Sequence, residues 1–347
     1  MRNKELTCAR RRTSIGGQAL MEGIMMRGPK KNAMAVRRPN GEIYFEAHEN
    51  ETKQRARITK WPIVRGVFNF VDSMVVGYKS LMRSADIAME EEEKAKDGSK
   101  NKAPSKGFTN FVMAVASVLG VLLALALFMW LPAFLYDLMA RFVPDTWGLE
   151  GNRYLRSVFE GLLKVVVLVV YMALVSLMKD IRRTFMYHGA EHKTIFCYEQ
   201  GLPLTVENVK KQKRFHPRCG TSFLILMLLV SIAVGILIPP ELPFVSGTLY
   251  TVIRAAVKLL LLPLVMGIGY ELLKIAGKHD NVLTRIISAP GMWLQRITVR
   301  EPTDDMIECA VKAFLAVLPE EEIEAETLAA YPDLAKEESA ADDTTEA

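Results

Sequence analysis

Residues 111–131 read FVMAVASVLGVLLALALFMWL, twenty-one residues without a charge. A helix rises about 1.5 Å per residue and the hydrocarbon core of a bilayer is about 30 Å thick, so this run predicts a membrane-spanning helix. Pro132 follows it. Three further runs extend the pattern. Residues 158–178 are apolar except near one end, where Glu160 and Lys164 stand at i, i+4 and can pair or snorkel. Residues 221–238 are uncharged and stop at Pro239 and Pro240. Residues 255–273 are weaker: Arg254 and Lys258 mark one end, Pro263 interrupts the run and Glu271 stands at the other end. The alternative there is a re-entrant or buried helix. The expected fold class is a mainly α polytopic membrane protein with about four transmembrane helices and a small N-terminal α+β cytoplasmic region.

Basic residues orient these spans, because short cytoplasmic loops carry an excess of Lys and Arg. The loop 179–220 contains nine of them from Lys179 to Arg218, whereas 239–248 contains none. Lys274, Lys278, Arg285, Arg296 and Arg300 follow the fourth run. Trp130, Tyr136, Trp147 and Tyr154 cluster at the opposite boundary, as interfacial aromatics do. An even number of spans with both termini in the cytoplasm fits this distribution.

Charge and composition agree. Half of the 347 residues are hydrophobic. The net charge of +5 hides a tail, 319–347, with eleven acidic residues and one lysine, so the rest of the chain carries +15. Cys8, Cys197, Cys219 and Cys309 are scattered and do not resemble a disulfide framework. The basic start MRNKELTCARRRTS lacks a following apolar stretch, so a cleaved signal peptide is not expected.

The expected organisation is a cytoplasmic α+β region over 1–89, a charged linker over 90–107, a transmembrane domain over 108–275 with the cytoplasmic loop 179–220, a cytoplasmic segment over 276–318 and a disordered acidic tail over 319–347. Residues 13–50 read as short strands, with a hairpin turn at Pro39-Asn40-Gly41. From Val64 to Ala85 apolar residues recur every three or four positions, which predicts an amphipathic helix. It would lie on the membrane or, preferably, pack on the hairpin. Pro302 and Thr303 announce a short helix over 304–318.

The strongest chemical signal is Tyr187-His188-Gly189-Ala190-Glu191-His192-Lys193. It has the form H-x-x-E-H, an inverted zincin motif. On a helix continuing the second span, His188 and His192 share a face, so two imidazoles could bind one divalent metal, most simply zinc, with Glu191 as general base. Without a metal, the same residues would be a polar cluster facing lipid headgroups. His216-Pro217-Arg218-Cys219 adds two further ligand types at a close spacing, and Cys219 could instead be a nucleophile or a packed small residue. Glu271 is a third-ligand candidate, with an interfacial ion pair to Lys274 or Arg285 as the competing and slightly favoured reading. The block Gly16-Gly17-Gln18-Ala19-Leu20-Met21-Glu22-Gly23, with Arg27 after it, is either a strand with glycine bulges or a ligand-binding segment. The basic loop 210–218 has only Phe215 among its charges, which fits anionic lipid headgroups better than nucleic acid, although ribosomal RNA stays open.

Together, the blocks GGQALMEGIMMRGP, YHGAEHKTIFCYE, HPRCGTSF, GYELLK and PGMWLQRITVREP resemble the YqhQ-like family of bacterial membrane proteins, over about 15–318. That family is labelled as predicted metal-dependent enzymes. The resemblance implies a bacterial inner-membrane setting and a site drawn from His188, Glu191, His192, His216 and Cys219. The expected function is therefore a metal-dependent membrane enzyme, a hydrolase working at the cytoplasmic face on a substrate the residues do not name. The alternative is a non-catalytic assembly, insertion or scaffold factor. Transport is the weakest reading, since Glu160, Lys164, Arg254 and Lys258 are all expected towards the outer ends of the spans.

Overall fold

The computed structural model describes residues 13–50, 56–95, 106–142, 153–238, 247–278 and 281–323, with Thr327, Ala330 and Tyr331. The chain is mainly helical, with one described sheet near its N-terminal end. Strands β1 (Gly16–Leu20), β2 (Gly23–Arg27), β3 (Lys31–Arg37) and β4 (Ile43–Glu49) pair antiparallel in sequence order. The Asn-Gly turn closes β3 onto β4, with Arg38 N–H donating to the Glu42 carbonyl at 2.8 Å.

The sheet is covered on both faces, which accounts for its Met-rich sequence. Ile24, Met26, Ala33 and Ala35 point into the largest core cluster. Leu20, Met25, Met34 and Val36 point the other way and meet Ile87. Side chains alternate along a strand, so such a sheet reads as a continuous apolar run. The first face packs against α5 (Lys179–Glu199) and α11 (Asp304–Leu315). In α11 Met306, Ile307, Cys309, Ala310, Phe314 and Leu315 are all buried. The segments 1–89 and 276–318, separate in the sequence reading, thus share one core.

The other face meets α1 (Val64–Ala95), and here the structure departs from the expectation. α1 packs on the sheet at Gly77, against Gln18, and on α9 (Leu262–Lys278) at Gly66, against Tyr270. On α1 the buried residues are Gly66, Gly77, Ser84 and Ile87. The apolar stripe that announced the helix, including Phe68, Val71, Val75 and Tyr78, is exposed. α10 (Val282–Thr298) behaves similarly, with Leu283, Ile286 and Trp293 exposed while Leu294 packs against Leu168 and Ile225. α1 also takes in 90–95, and α2 (Lys106–Leu125) begins at 106, so the linker is shorter than 90–107. The acidic tail beyond Tyr331 lies outside the described residues.

Among the described residues, two helices are long and apolar enough to cross a membrane, or three if a bent pair counts as one span. The first, Ala114–Phe142, has 29 residues and joins α2 to α3 (Leu131–Phe142). Pro132 does not end it: the proline sits in the first turn of α3, directly after a widened π-helical turn at Ala126–Trp130, where Leu131 N–H reaches back to the Ala126 carbonyl. The second, Tyr154–Val175, falls in α4 (Arg153–Val175). The bent pair is Val252–Leu260 with Leu262–Gly277, turned by 42° between α8 (Gly247–Leu260) and α9. The third expected span is α7 (Gly220–Ile236), apolar but only 17 residues long. The expected four crossings thus correspond to two clear helices, one bent pair and one short helix.

Candidate metal centre

The H-x-x-E-H motif sits on α5, which does not continue α4. Met178 is extended (φ −68°, ψ 134°), so the chain breaks after Val175 and starts a new helix at Lys179. This break lets α5 leave the apolar bundle and enter the core between the sheet and α11. Gly189 has a specific role there. A Cβ at this position would lie 1.9 Å from the Arg300 carbonyl oxygen. Its absence lets the segment after α10 lie directly on α5, where Arg300 N–H donates to the Phe185 carbonyl at 2.8 Å.

That close approach orients His188. Its Nδ1 is 3.0 Å from the Thr298 carbonyl oxygen. A carbonyl only accepts, so Nδ1 carries the proton and Nε2 presents a lone pair. Nε2 lies 3.1 Å from Cys219 Sγ. His192 repeats the arrangement: its Nδ1 is 2.6 Å from the Arg214 carbonyl oxygen, so its Nε2 is also the unprotonated nitrogen. His192 Nε2 is buried and has no hydrogen-bond partner. Cys219 caps the N-terminus of α7, where Thr221 N–H donates to Sγ at 3.5 Å. One ligand atom from each of His188, His192 and Cys219 lies within 4.8 Å of the other two.

The arrangement is acceptor-rich. Two lone pairs and a sulfur converge, and an imidazole whose other nitrogen donates to a carbonyl is the usual support for a metal ligand. Burial pushes the His192 imidazole below its ordinary pKa, favouring the neutral form that binds metal. These residues fit a divalent ion of zinc type, with two nitrogens, one sulfur and room in the coordination shell for a further ligand.

The remaining expected residues fall in different places. Glu191 lies beside the cluster, between α5 and β1, where its Oε1 accepts from Gly17 N–H at 2.9 Å. A Cβ on Gly17 would be 2.9 Å from the Glu191 carboxyl carbon, so glycine is what lets the carboxylate reach the strand. Burial pushes this carboxyl above the usual carboxylate range, against the opposing influences of His188 and the Gly17 amide. Block 16–23 therefore contributes a backbone amide. Glu22 pairs instead with Arg183, and Arg27 donates to Ser73.

His216 stacks near the cluster, 5.7 Å from the His192 ring, but its nitrogens turn away. Its Nδ1 accepts from Arg218 N–H at 3.3 Å, and its Nε2 lies 3.6 Å from Glu199. Glu271 is not brought to the cluster. It lies on α9 and pairs with Arg65 of α1, whose Nε is 2.6 Å away, while Ile63 N–H also donates to it. The packing of α1 on α9 supplies this cation, so the ion-pair reading of Glu271 holds with a different partner from Lys274 or Arg285. The basic loop is also largely paired internally: Lys210 with Asp304, Lys211 with Glu207, Arg214 with Glu301 and Arg218 with Glu199.

Sequence reasoning missed Gln295, Glu199 and two backbone carbonyls. Gln295 of α10 grips the His216 backbone at both ends, accepting from its N–H and donating to its carbonyl, each at 2.8 Å. A fully buried glutamine in an amphipathic helix is a detectable signal. The carbonyls of Thr298 and Arg214 leave no signal in side-chain identity.

Comparison with known proteins adds the lineage. Residues 61–320 match the family described as "Protein of unknown function (DUF1385)". The chain is 32% identical over 317 residues to the "Uncharacterized protein YqhQ" of Bacillus subtilis (strain 168), covering 88% of this chain and 92% of that protein. No solved structure matches the chain. The motif blocks and the length of the match agree, and the chain belongs to the DUF1385 family and is YqhQ-like.

Proposed function

We propose that the chain is a metal-dependent hydrolase of the bacterial inner membrane, with its site at the cytoplasmic surface and both termini on that side. The observation that carries this reading is the convergence of His188 Nε2, His192 Nε2 and Cys219 Sγ, with His192 Nε2 buried and unpartnered. An unpartnered buried acceptor costs about 1–3 kcal/mol, and a bound cation removes that cost. Zinc held by these three residues would supply Lewis-acid polarisation of a substrate oxygen and a lowered pKa for water. Glu191, with its carboxyl raised by burial, would take the proton from the attacking water and return it to the leaving group. The Gly17 amide holds that carboxylate in place. His188, the less buried of the two histidines, marks the side from which a substrate enters.

The exposed apolar faces of α1 and α10 support a seat at the lipid surface. Phe68, Val71 and Tyr78 on one helix and Leu283, Ile286 and Trp293 on the other flank the apolar bundle, and Lys79 and Arg285 stand near them. Such faces bury themselves in the headgroup region of a bilayer. In this reading α7 and the bent pair α8–α9 complete four crossings.

Metal analysis of protein purified in detergent tests the proposal. About one equivalent of zinc is expected, with less than about a tenth in His192→Ala. Less than a tenth in both proteins overturns it. Glu191→Gln should keep zinc and abolish function in the cell. Function that survives this change with zinc still bound favours the assembly or scaffold role.

A further inference from the structure

A second polar cluster lies inside the apolar bundle, away from the histidines. Glu160 is buried on α4, seven residues from its start, about 10 Å along the axis. Three cations converge on it: Arg156 Nε at 2.9 Å, Arg254 Nη1 at 2.9 Å and Lys258 Nζ at 2.6 Å. Arg156 also reaches Asp137 of α3 at 3.1 Å. Lys164, one turn further along α4, lies within electrostatic range of Glu160 and Arg254. It sits near the middle of the 23-residue helix, not at an outer end as the sequence suggested. Leaving aside Arg156, which is shared with Asp137, three cations, Arg254, Lys258 and Lys164, face the one carboxylate of Glu160, an excess of two positive charges among the described residues.

Two features show that this surplus is not internally satisfied. Arg254 is 6% exposed, and its Nε is buried without a hydrogen-bond partner. None of the ion pairs among the described residues engages Lys164. The break between α8 and α9 falls three residues after Lys258, at Leu261. Interrupted helices within a membrane commonly border binding sites, because the break frees backbone polar groups and opens space. Charged side chains at such depth are costly unless they are paired or functional.

We infer that this cluster binds a phosphate-bearing anion, with the unpartnered Nε–H of Arg254 and the Lys164 ammonium as its anchors. A phosphomonoester carries about −1.5 to −2 at neutral pH, which balances a surplus of two positive charges. Guanidinium and ammonium groups are the side chains that hold phosphate oxygens, the first as a fork and the second as a point charge. Glu160 fixes Arg254 and Lys258 and at the same time competes with the ligand for them. The site is independent of the histidine cluster and stands whether or not that cluster holds zinc.

The test is native mass spectrometry, with thermal melting, of the full chain in a neutral detergent. The probes are phosphatidic acid, phosphatidylcholine and inorganic phosphate. Wild type should retain phosphatidic acid over phosphatidylcholine, or take up inorganic phosphate. The first result assigns the site to a lipid headgroup and the second to free phosphate. Lys164→Met removes a surplus cation without breaking a described ion pair and should weaken the anion at least about tenfold. Glu160→Gln should act in the opposite direction and tighten it. Anion binding that is equal in wild type and Lys164→Met, or no preference for phosphate over phosphatidylcholine, overturns the inference.

Discussion

The two polar clusters of this molecule are built on opposite principles. Around His188, His192 and Cys219 both imidazole N–H groups are turned outward to backbone carbonyls, and the two Nε2 atoms face inward with the sulfur. Around Glu160 the cations outnumber the carboxylates, and donors face inward. In the readings proposed above, the first arrangement would hold a positive ligand and the second a negative one. The first is held by main-chain contacts from three different segments, the second by side chains alone. Loss of one residue should therefore empty the histidine cluster with little damage, whereas it should unbalance the charge cluster.

The largest effect should come from the charge cluster. Glu160→Ala leaves three cations without their shared carboxylate, and breaking a buried pair costs about 3–5 kcal/mol. A thermal melt in detergent should show it, and an unchanged midpoint would erase the contrast. Next, His192→Ala should weaken zinc at least about a hundredfold, or about 2.7 kcal/mol, as read by competition with a chelating dye. Gly189→Ala forces a methyl group against the Arg300 carbonyl and should cost about 1–3 kcal/mol. Because the Thr298 carbonyl lies on the same segment, its melting point and zinc affinity should fall together.

Smaller effects sharpen the picture of the thiols and of the neighbouring carboxylate. Burial pushes the Cys309 thiol up to about 11, so near pH 8 it should resist alkylation in the folded protein. Cys219 should react faster than Cys309, and added zinc should protect it. Burial alone would raise the Glu199 carboxyl, but the His216 hydrogen bond and Arg218 outweigh it and hold it below the usual range. A depressed carboxyl stabilises the fold above its unfolded pKa, and that stability is lost as pH falls through the folded value. The wild-type melting point should therefore decline below about pH 4, and the decline should be shallower in Glu199→Gln.

Much of the site could be read in the sequence because its ligands are close in the chain. His188 and His192 are one helical turn apart, and Cys219 follows in a short Pro-Gly loop. Local spacing and side-chain identity were sufficient to nominate them. The same reasoning added His216 and weighed Glu271 as a ligand against a slightly favoured ion pair, and in the tertiary structure both are engaged by other partners. Glu199 and the Arg218 amide engage His216, while Arg65 engages Glu271. α1 teaches a related lesson. Its apolar periodicity marked a helix correctly, yet most of that stripe is exposed, and close approach to α9 and β1 falls instead at Gly66 and Gly77.

The sequence by itself determined the apolar helices, the strands about the Asn-Gly turn and the pairing of two imidazoles on one helical face. Each follows from local periodicity, local turn chemistry or the 3.6-residue repeat. Only the tertiary structure decided which nitrogen of each histidine is free, which acids stay outside the cluster and how many cations surround Glu160. Those outcomes depend on backbone groups and on side chains up to 206 residues apart, which no local pattern encodes.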